Sequence, residues 1–275
     1  DLLAQDILYL TRGVPVVYYG DEVGMTGSGD GTDRKARQDM FATQVGDWQT
    51  EPRIGSAPVG TGSSLDAANP VGAQMALLAG LRRQQPALAQ GAQITRLASG
   101  RVFAASRIDA ARRLEVVVAF NGGDAAQRVT IPTATPSASW TPLLGTSTGG
   151  TDAKGRLGLV IPARSAAVVV AGKPLPVPAK PSIRVTVRPD ALTGGYQVSA
   201  SVPGVDPSTV TFGYRKRGSS SWTTAGTDDA RPFRVFLDPA RVGKKAQLEI
   251  MAVVTDSVGR TARSNTVTQR MTPLF

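Results

Sequence analysis

Apolar positions along the chain change their period several times. Over residues 1–12, Leu2, Leu3, Ile7, Leu8 and Leu10 recur at helical spacing, and Gly13 suits the C-terminal cap of that helix. A short continuous apolar run follows, Val14 to Tyr18 with Pro15 among them. A run of this kind bounded by glycines predicts a strand buried on both faces, as in a parallel sheet. Pro15 stands near its start, where a missing N–H does least harm. Gly20 ends the strand and turns the chain. Asp21 and Glu22 then fall at the strand's C-terminal edge, where barrels and open α/β sheets keep their chemistry. Residues 26–68 show little period and much Gly, Asp, Ser and Thr, so they predict a long loop. Asn69 and Pro70 read as an N-cap and first helical residue. Met75, Leu77, Leu78 and Leu81 supply the apolar face of that helix, Arg82 and Arg83 suit the dipole at its end, and Pro86 stops it.

From residue 93 the period becomes strand-like. The runs RVFAASRI, LEVVVAFN, QRVTIP and GLVIPARSAAVVVAG are separated by turn residues, with Asn121-Gly122-Gly123-Asp124 as a clear turn. Spacing of this kind suggests an antiparallel sandwich. Residues 173–181, KPLPVPAKP, form a proline-rich semi-rigid linker. Strand patterns resume after it. Val210, Phe212 and Tyr214 share one face, and Asp256 and Gly259 sit in the turn of a last hairpin. The expected divisions are 1–92, 93–172, the linker 173–181, and 182–275.

Composition removes several kinds of chemistry. The 275 residues include no cysteine and no histidine. That excludes disulfides, Cys- or His-ligated metals and a Ser-His-Asp arrangement. No apolar run approaches the ~18 residues of a membrane span, so no membrane partner is expected. The net charge of +10 is uneven, at −3 over 1–92, +6 over 93–175 and +7 over 176–275. The basic excess consists mostly of single arginines in the β-rich part, which reads as solvated strand faces and not as a nucleic-acid surface.

Three segments carry a family resemblance. Gly13, Pro15, Tyr19, Gly20, Glu22 and Gly24-Met25 form the first. Arg37-Gln38-Asp39-Met40-Phe41 forms the second, although many members have proline before the methionine where this chain has Asp39. The phrase LLAGLRRQQPALAQG forms the third. Together they resemble the alpha-amylase superfamily, glycoside hydrolase family 13, at its eighth barrel strand, the loop after it and its last barrel helix. The implied fold is multidomain: the incomplete C-terminal part of a TIM (β/α)8 barrel over 1–92, then two all-β antiparallel sandwiches. The last of these resembles an immunoglobulin-like or fibronectin-III-like module.

The resemblance implies retaining cleavage or transfer of α-glucosidic bonds in starch, glycogen, pullulan or maltooligosaccharides. The catalytic carboxylates would lie on strands preceding residue 1, so the chain reads as the C-terminal portion of an exported enzyme and is expected to be inactive alone. Arg37 is a candidate donor to substrate hydroxyls, with a structural Arg–Asp pair as the competing reading. Asp21 faces the loop, and Trp48 either stacks on sugar or pins the loop. Adjacent residues of an extended strand point to opposite faces, so Asp21 and Glu22 do not form an acid/base pair. Glu22, beside Gly20, is expected to be a buried scaffold carboxylate satisfied by groups outside the chain. No cofactor or metal is expected in this segment, and the family resemblance leaves calcium to the intact enzyme. A non-catalytic carbohydrate-binding or cell-surface spacer role is the alternative, with Trp222 its best aromatic. Strand 14–18 is expected to have lost a neighbour and to expose its apolar faces. Residues 1–92 alone are therefore expected to be poorly ordered, and 93–275 to fold.

Overall fold

The computed structural model describes every residue except 28–31, 34–35, 66–67, 146–147, 205–206 and 275. The first 92 residues contribute helices α1 (Leu2–Leu10), α2 (Gly46–Thr50), α3 (Pro70–Gln84) and α4 (Pro86–Gln90). A 3-10 turn spans Asp21–Val23. The core face of α1 is Leu3, Asp6 and Leu10, while Leu2 and Ile7 stay exposed. In α3 the buried residues are Val71, Met75, Leu78 and Leu81. Leu77, expected on that face, is exposed, because 3.6 residues per turn carry it off the 71-75-78-81 stripe.

The second unit is a sandwich of eight strands: β1 (Ala92–Ser99), β2 (Val102–Asp109), β3 (Leu114–Asn121), β4 (Gln127–Pro132), β5 (Trp140–Leu144), β6 (Thr148–Thr151), β7 (Arg156–Ile161) and β8 (Ser165–Ala171). One sheet has the order β1-β2-β3-β8-β5 and the other β4-β7-β6. Strands β3 and β8 explain their unbroken apolar runs. Val117, Ala119, Ala167 and Val169 face the second sheet. Val116, Val118, Phe120, Ala166 and Val168 face the opposite way, into a core shared with Leu10 of α1, Leu78 and Leu81 of α3, and Ala87 and Leu88 of α4. The five-stranded sheet is thus covered on both faces, by a sheet on one and helices on the other, and its core crosses the division at residue 92.

Two arginines, Arg107 buried and Arg82 half-buried, bind that junction. Arg107 is 1% exposed and donates to Leu10 O and Gly91 O, each at 3.1 Å. These carbonyls end α1 and follow α4, so two helix C-termini face one guanidinium. Burial, then the neighbouring charges of Arg82 and Arg12, bring its pKa down to about 10. Arg82 donates to Tyr9 O at 2.6 Å and Gly13 O at 2.9 Å, fixing the exit of α1. Buried Asp6 accepts from Gln74 Nε2 at 2.6 Å, and burial raises its pKa against that bond.

A carboxylate is also buried inside the sandwich. Glu115 is 0% exposed. It accepts from Arg96 Nη2 at 3.2 Å, from the backbone N–H of Ala134 at 2.9 and 3.0 Å, from Thr135 Oγ1 at 2.7 Å, and from Ser106 Oγ. Arg96 Nε donates to Ser106 Oγ at 2.7 Å and closes the network. Burial lowers the Arg96 pKa, and Glu115 opposes that shift.

The third unit comprises β9 (Arg184–Asp190), β10 (Gly195–Ser201), β11 (Ser208–Lys216), β12 (Thr223–Asp228), β13 (Arg234–Leu237), helix α5 (Pro239–Val242), β14 (Gln247–Asp256), β15 (Thr261–Arg263) and β16 (Val267–Arg270). Its sheets run β13-β10-β9 and β12-β11-β14, and both β15 and β16 pair with β14. Val198, Val210, Phe212, Phe233, Leu248 and Ile250 anchor an independent core. Asp256 and Gly259 occupy the predicted hairpin turn, with Gly259 N–H donating to Asp256 O at 3.0 Å.

The linker is clamped at both ends. Arg113 donates to Leu175 O and Pro176 O, and Arg260 donates to Pro178 O and Ala179 O at 2.9 Å each. Arg12 joins Asp229 of the third unit through two bonds of 2.7 and 2.6 Å.

Two expectations about the first 92 residues are corrected. Residues 14–18 form no ladder with any described residue, and every described strand pair is antiparallel. The described residues therefore build no barrel. Val14 is 84% exposed and Val16 79%, the exposure expected of this run when no strand among the described residues pairs with it. The loop 26–68 is also more ordered than its composition suggests. It contains α2 and the bridges Met25–Arg53 and Arg53–Ser56.

Candidate functional site

The turn at residues 19–25 is locked onto the start of α3. Asn69 is both cap and clamp. Its Oδ1 accepts from the N–H of Val71 at 2.8 Å, as the sequence predicts. Its Nδ2 lies within bonding distance of Val23 O (3.1 Å), Ile54 O (2.7 Å) and Ser56 Oγ (2.8 Å). Arg53 Nε donates to the same Val23 carbonyl at 2.8 Å, and Ile54 N–H donates to Gly24 O at 2.7 Å.

Two glycines make this fit. Gly24 has φ +74°, and a Cβ there would come within 2.3 Å of Ile54 O. Gly72 lies inside α3, and a Cβ there would stand 2.5 Å from Glu22 O. A glycine inside a helix normally costs stability; here it lets the turn press against the helix.

The site residues predicted from the sequence fall into two groups. Asp21 and Glu22 lie in a 3-10 turn, not an extended strand, which corrects the argument from alternation. Glu22 is half-buried, and its Oε2 accepts from Gly20 N–H at 2.9 Å. Its partner is thus local, where groups from outside the chain were expected. Asp21 is exposed.

Arg37 is exposed and pairs with Asp33 at 2.5 Å. The Asp33 hydrogen bond, followed by its charge, raises the Arg37 pKa, with weaker contributions from Tyr18 and Tyr19. Tyr18 and Tyr19 form an exposed aromatic pair, with ring centroids 4.9 Å apart. Trp48 is half-buried on α2. Sequence reasoning missed the tyrosine pair because it placed Tyr18 in the buried strand and used Tyr19 only for the family resemblance. It also missed the clamping roles of Asn69 and Arg53, whose partners are carbonyls distant in sequence.

Replacing Asn69 by alanine is expected to cost ~1–2 kcal/mol for the cap alone and to leave the Val23 and Ile54 carbonyls short of a donor. Hydrogen exchange at the amides of Ile54 and Val71 should quicken, while the β3 amides stay protected. Unchanged exchange at Ile54 would contradict the clamp.

No family model matches the sequence. An alpha-amylase from Streptomyces lividans is 36% identical over 267 residues, which cover 95% of this chain. The chain is a homologue of one segment of an alpha-amylase. It spans 29% of that relative's length. Among solved structures, a gamma-CGTase from alkalophilic Bacillus clarkii is 15% identical over 98% of this chain and 49% of its own, with a TM-score of 0.45. An alpha-amylase from Geobacillus thermoleovorans, complexed with acarbose, is 18% identical over 62% of this chain and 33% of its own, with a TM-score of 0.44.

Among the described residues, no group of three or more acidic side chains is placed to hold a metal ion. No described helix is long and apolar enough to cross a membrane.

Proposed function

We propose that this chain is the part of an α-glucan-acting, retaining glycoside hydrolase that closes a catalytic barrel and carries two sandwich domains. The observation that carries the reading is the 36% identity to an alpha-amylase across 95% of the chain. The exposed run at 14–19 supports it. Val14, Val16, Tyr18 and Tyr19 form an unpaired apolar segment, which is what a barrel strand presents before its neighbours are added.

On this reading the catalytic acid and nucleophile belong to other segments of the enzyme. Tyr18, Tyr19 and Arg37 line the sugar-facing edge of the last strand, with Asp21 beside them and Trp48 on the loop. Gly20 and Glu22 hold the turn. Any calcium in the enzyme is assigned to residues outside this chain. The third unit is read as immunoglobulin-like or fibronectin-III-like, supported by its three-stranded sheet packed on β12-β11-β14. A polymeric substrate suits a secreted or cell-surface enzyme.

The chain by itself is expected to release no reducing sugar from soluble starch or pullulan. The longer polypeptide that the reading requires is expected to release product with retained anomeric configuration, followed by NMR. Turnover by the 275-residue chain, or inversion by the longer protein, would overturn the proposal.

A further inference from the structure

The third unit has an outer sheet face whose chemistry the proposed catalytic role does not use. Strand β11 sends Val210 and Phe212 into the core, so Thr211 and Gly213 point outward. Strand β14 likewise buries Ile250, Ala252 and Val254 and turns Met251 and Val253 out. Pairing sets Gly213 opposite Met251, Thr211 opposite Val253, and Val253 opposite Arg263. The missing side chain at Gly213 leaves a hollow of about 260 Å3, with Trp222 and Arg263 among its walls.

Trp222, 39% exposed, is held and not loose. The Arg215 guanidinium lies 4.7 Å from its ring centroid, and Arg215 Nε donates to Glu249 at 2.7 Å. The ion pair neutralises Arg215 and fixes the ring, so little ordering is left to occur on binding. The hollow therefore offers a fixed aromatic ring, the Thr224 hydroxyl, the Thr211 hydroxyl (which also bonds Thr227 Oγ1 at 3.1 Å) and the Arg263 donor, with the Arg215 charge already matched. A neutral polyhydroxylated chain complements this set: the C–H face of a pyranose ring packs on indole while its hydroxyls meet threonine and arginine.

We propose that this face binds a chain of α-linked glucose residues, with Trp222 as the stacking platform. The choice of α-glucan rests on the proposed substrate of the enzyme; the site itself rests on the geometry of the hollow.

The test is affinity electrophoresis of the full 275-residue chain in gels containing amylopectin or, separately, a soluble β-glucan. Migration should be retarded by amylopectin, and Trp222→Ala should weaken that retardation at least tenfold. Gly213→Val should do the same with the tryptophan kept. A Cβ at Gly213 meets only ordinary contacts, at 3.5 Å from Thr223 O and Trp222 Cε3, so the strand accommodates the added Cβ. Leu192→Ala, at a 93% exposed apolar residue of the third unit outside the hollow, should leave retardation unchanged. Retardation that survives Trp222→Ala, or none in either gel, overturns the site. Retardation by the β-glucan alone, lost with Trp222→Ala, upholds the site and overturns the α-glucan reading on which its ligand rests.

Discussion

Replacing Glu115 by alanine is expected to destabilise the second unit by ~3–5 kcal/mol, the usual consequence of removing one partner from a buried ion pair. Glu115 is 0% exposed and the Arg96 side chain 5%. Its removal strands a cation and also leaves Thr135, Ser106 and the Ala134 N–H without their acceptor.

Glu115→Gln keeps the shape but not the charge, so it should fall between wild type and alanine. Trp140, the one tryptophan of this unit and 5% exposed, reports the transition in urea. A loss below about 1 kcal/mol for Glu115→Ala would show the network to be dispensable. In the double mutant with Arg96→Ala the cost should be clearly less than the sum of the two single costs, because the second substitution removes the cation that the first one stranded.

The second large effect concerns the division at residue 92. A chain of residues 93–275 is expected not to fold as a whole. Without α1, α3 and α4, the sheet face bearing Val116, Val118, Phe120 and Val168 meets water. At about 1.5–3 kcal/mol for each large side chain, the loss is roughly 6–12 kcal/mol, comparable with the ~5–15 kcal/mol that stabilises a typical domain. Arg107 would also lose the Leu10 carbonyl.

Hydrogen exchange should show β3 and β8 unprotected, while β11 and β14 of the third unit, with their own core, remain protected. Protected β3 amides in the truncated chain would refute this expectation. The outcome reverses the one drawn from the sequence, in which residues 93–275 fold unaided. Periodicity marks where strands begin, and it does not report which element covers a strand's second face.

That distinction runs through the whole chain. Local chemistry was readable wherever one residue and its near neighbours decide the outcome. Asn69 caps α3 because its side chain reaches the N–H two residues on. Asp256 and Gly259 turn the last hairpin by bonds within the turn. The runs LEVVVAFN and SAAVVVA form strands because β-branched residues favour the pleated conformation. The Arg–Asp reading of Arg37 was available for the same reason, with Asp33 four residues away.

Tertiary structure alone decided the rest. Arg107 and Arg96 looked like ordinary strand arginines, and only the fold brings two helix ends to the first and a buried carboxylate to the second. Asn69's clamp on Val23, 46 residues distant, and the hollow beneath Trp222 arise from packing that no spacing encodes. The run from Val14 to Tyr18 shows both sides. Its residues determined that it should be extended and buried. Whether it is buried depends on neighbouring strands, and without them the same apolar residues stand in water.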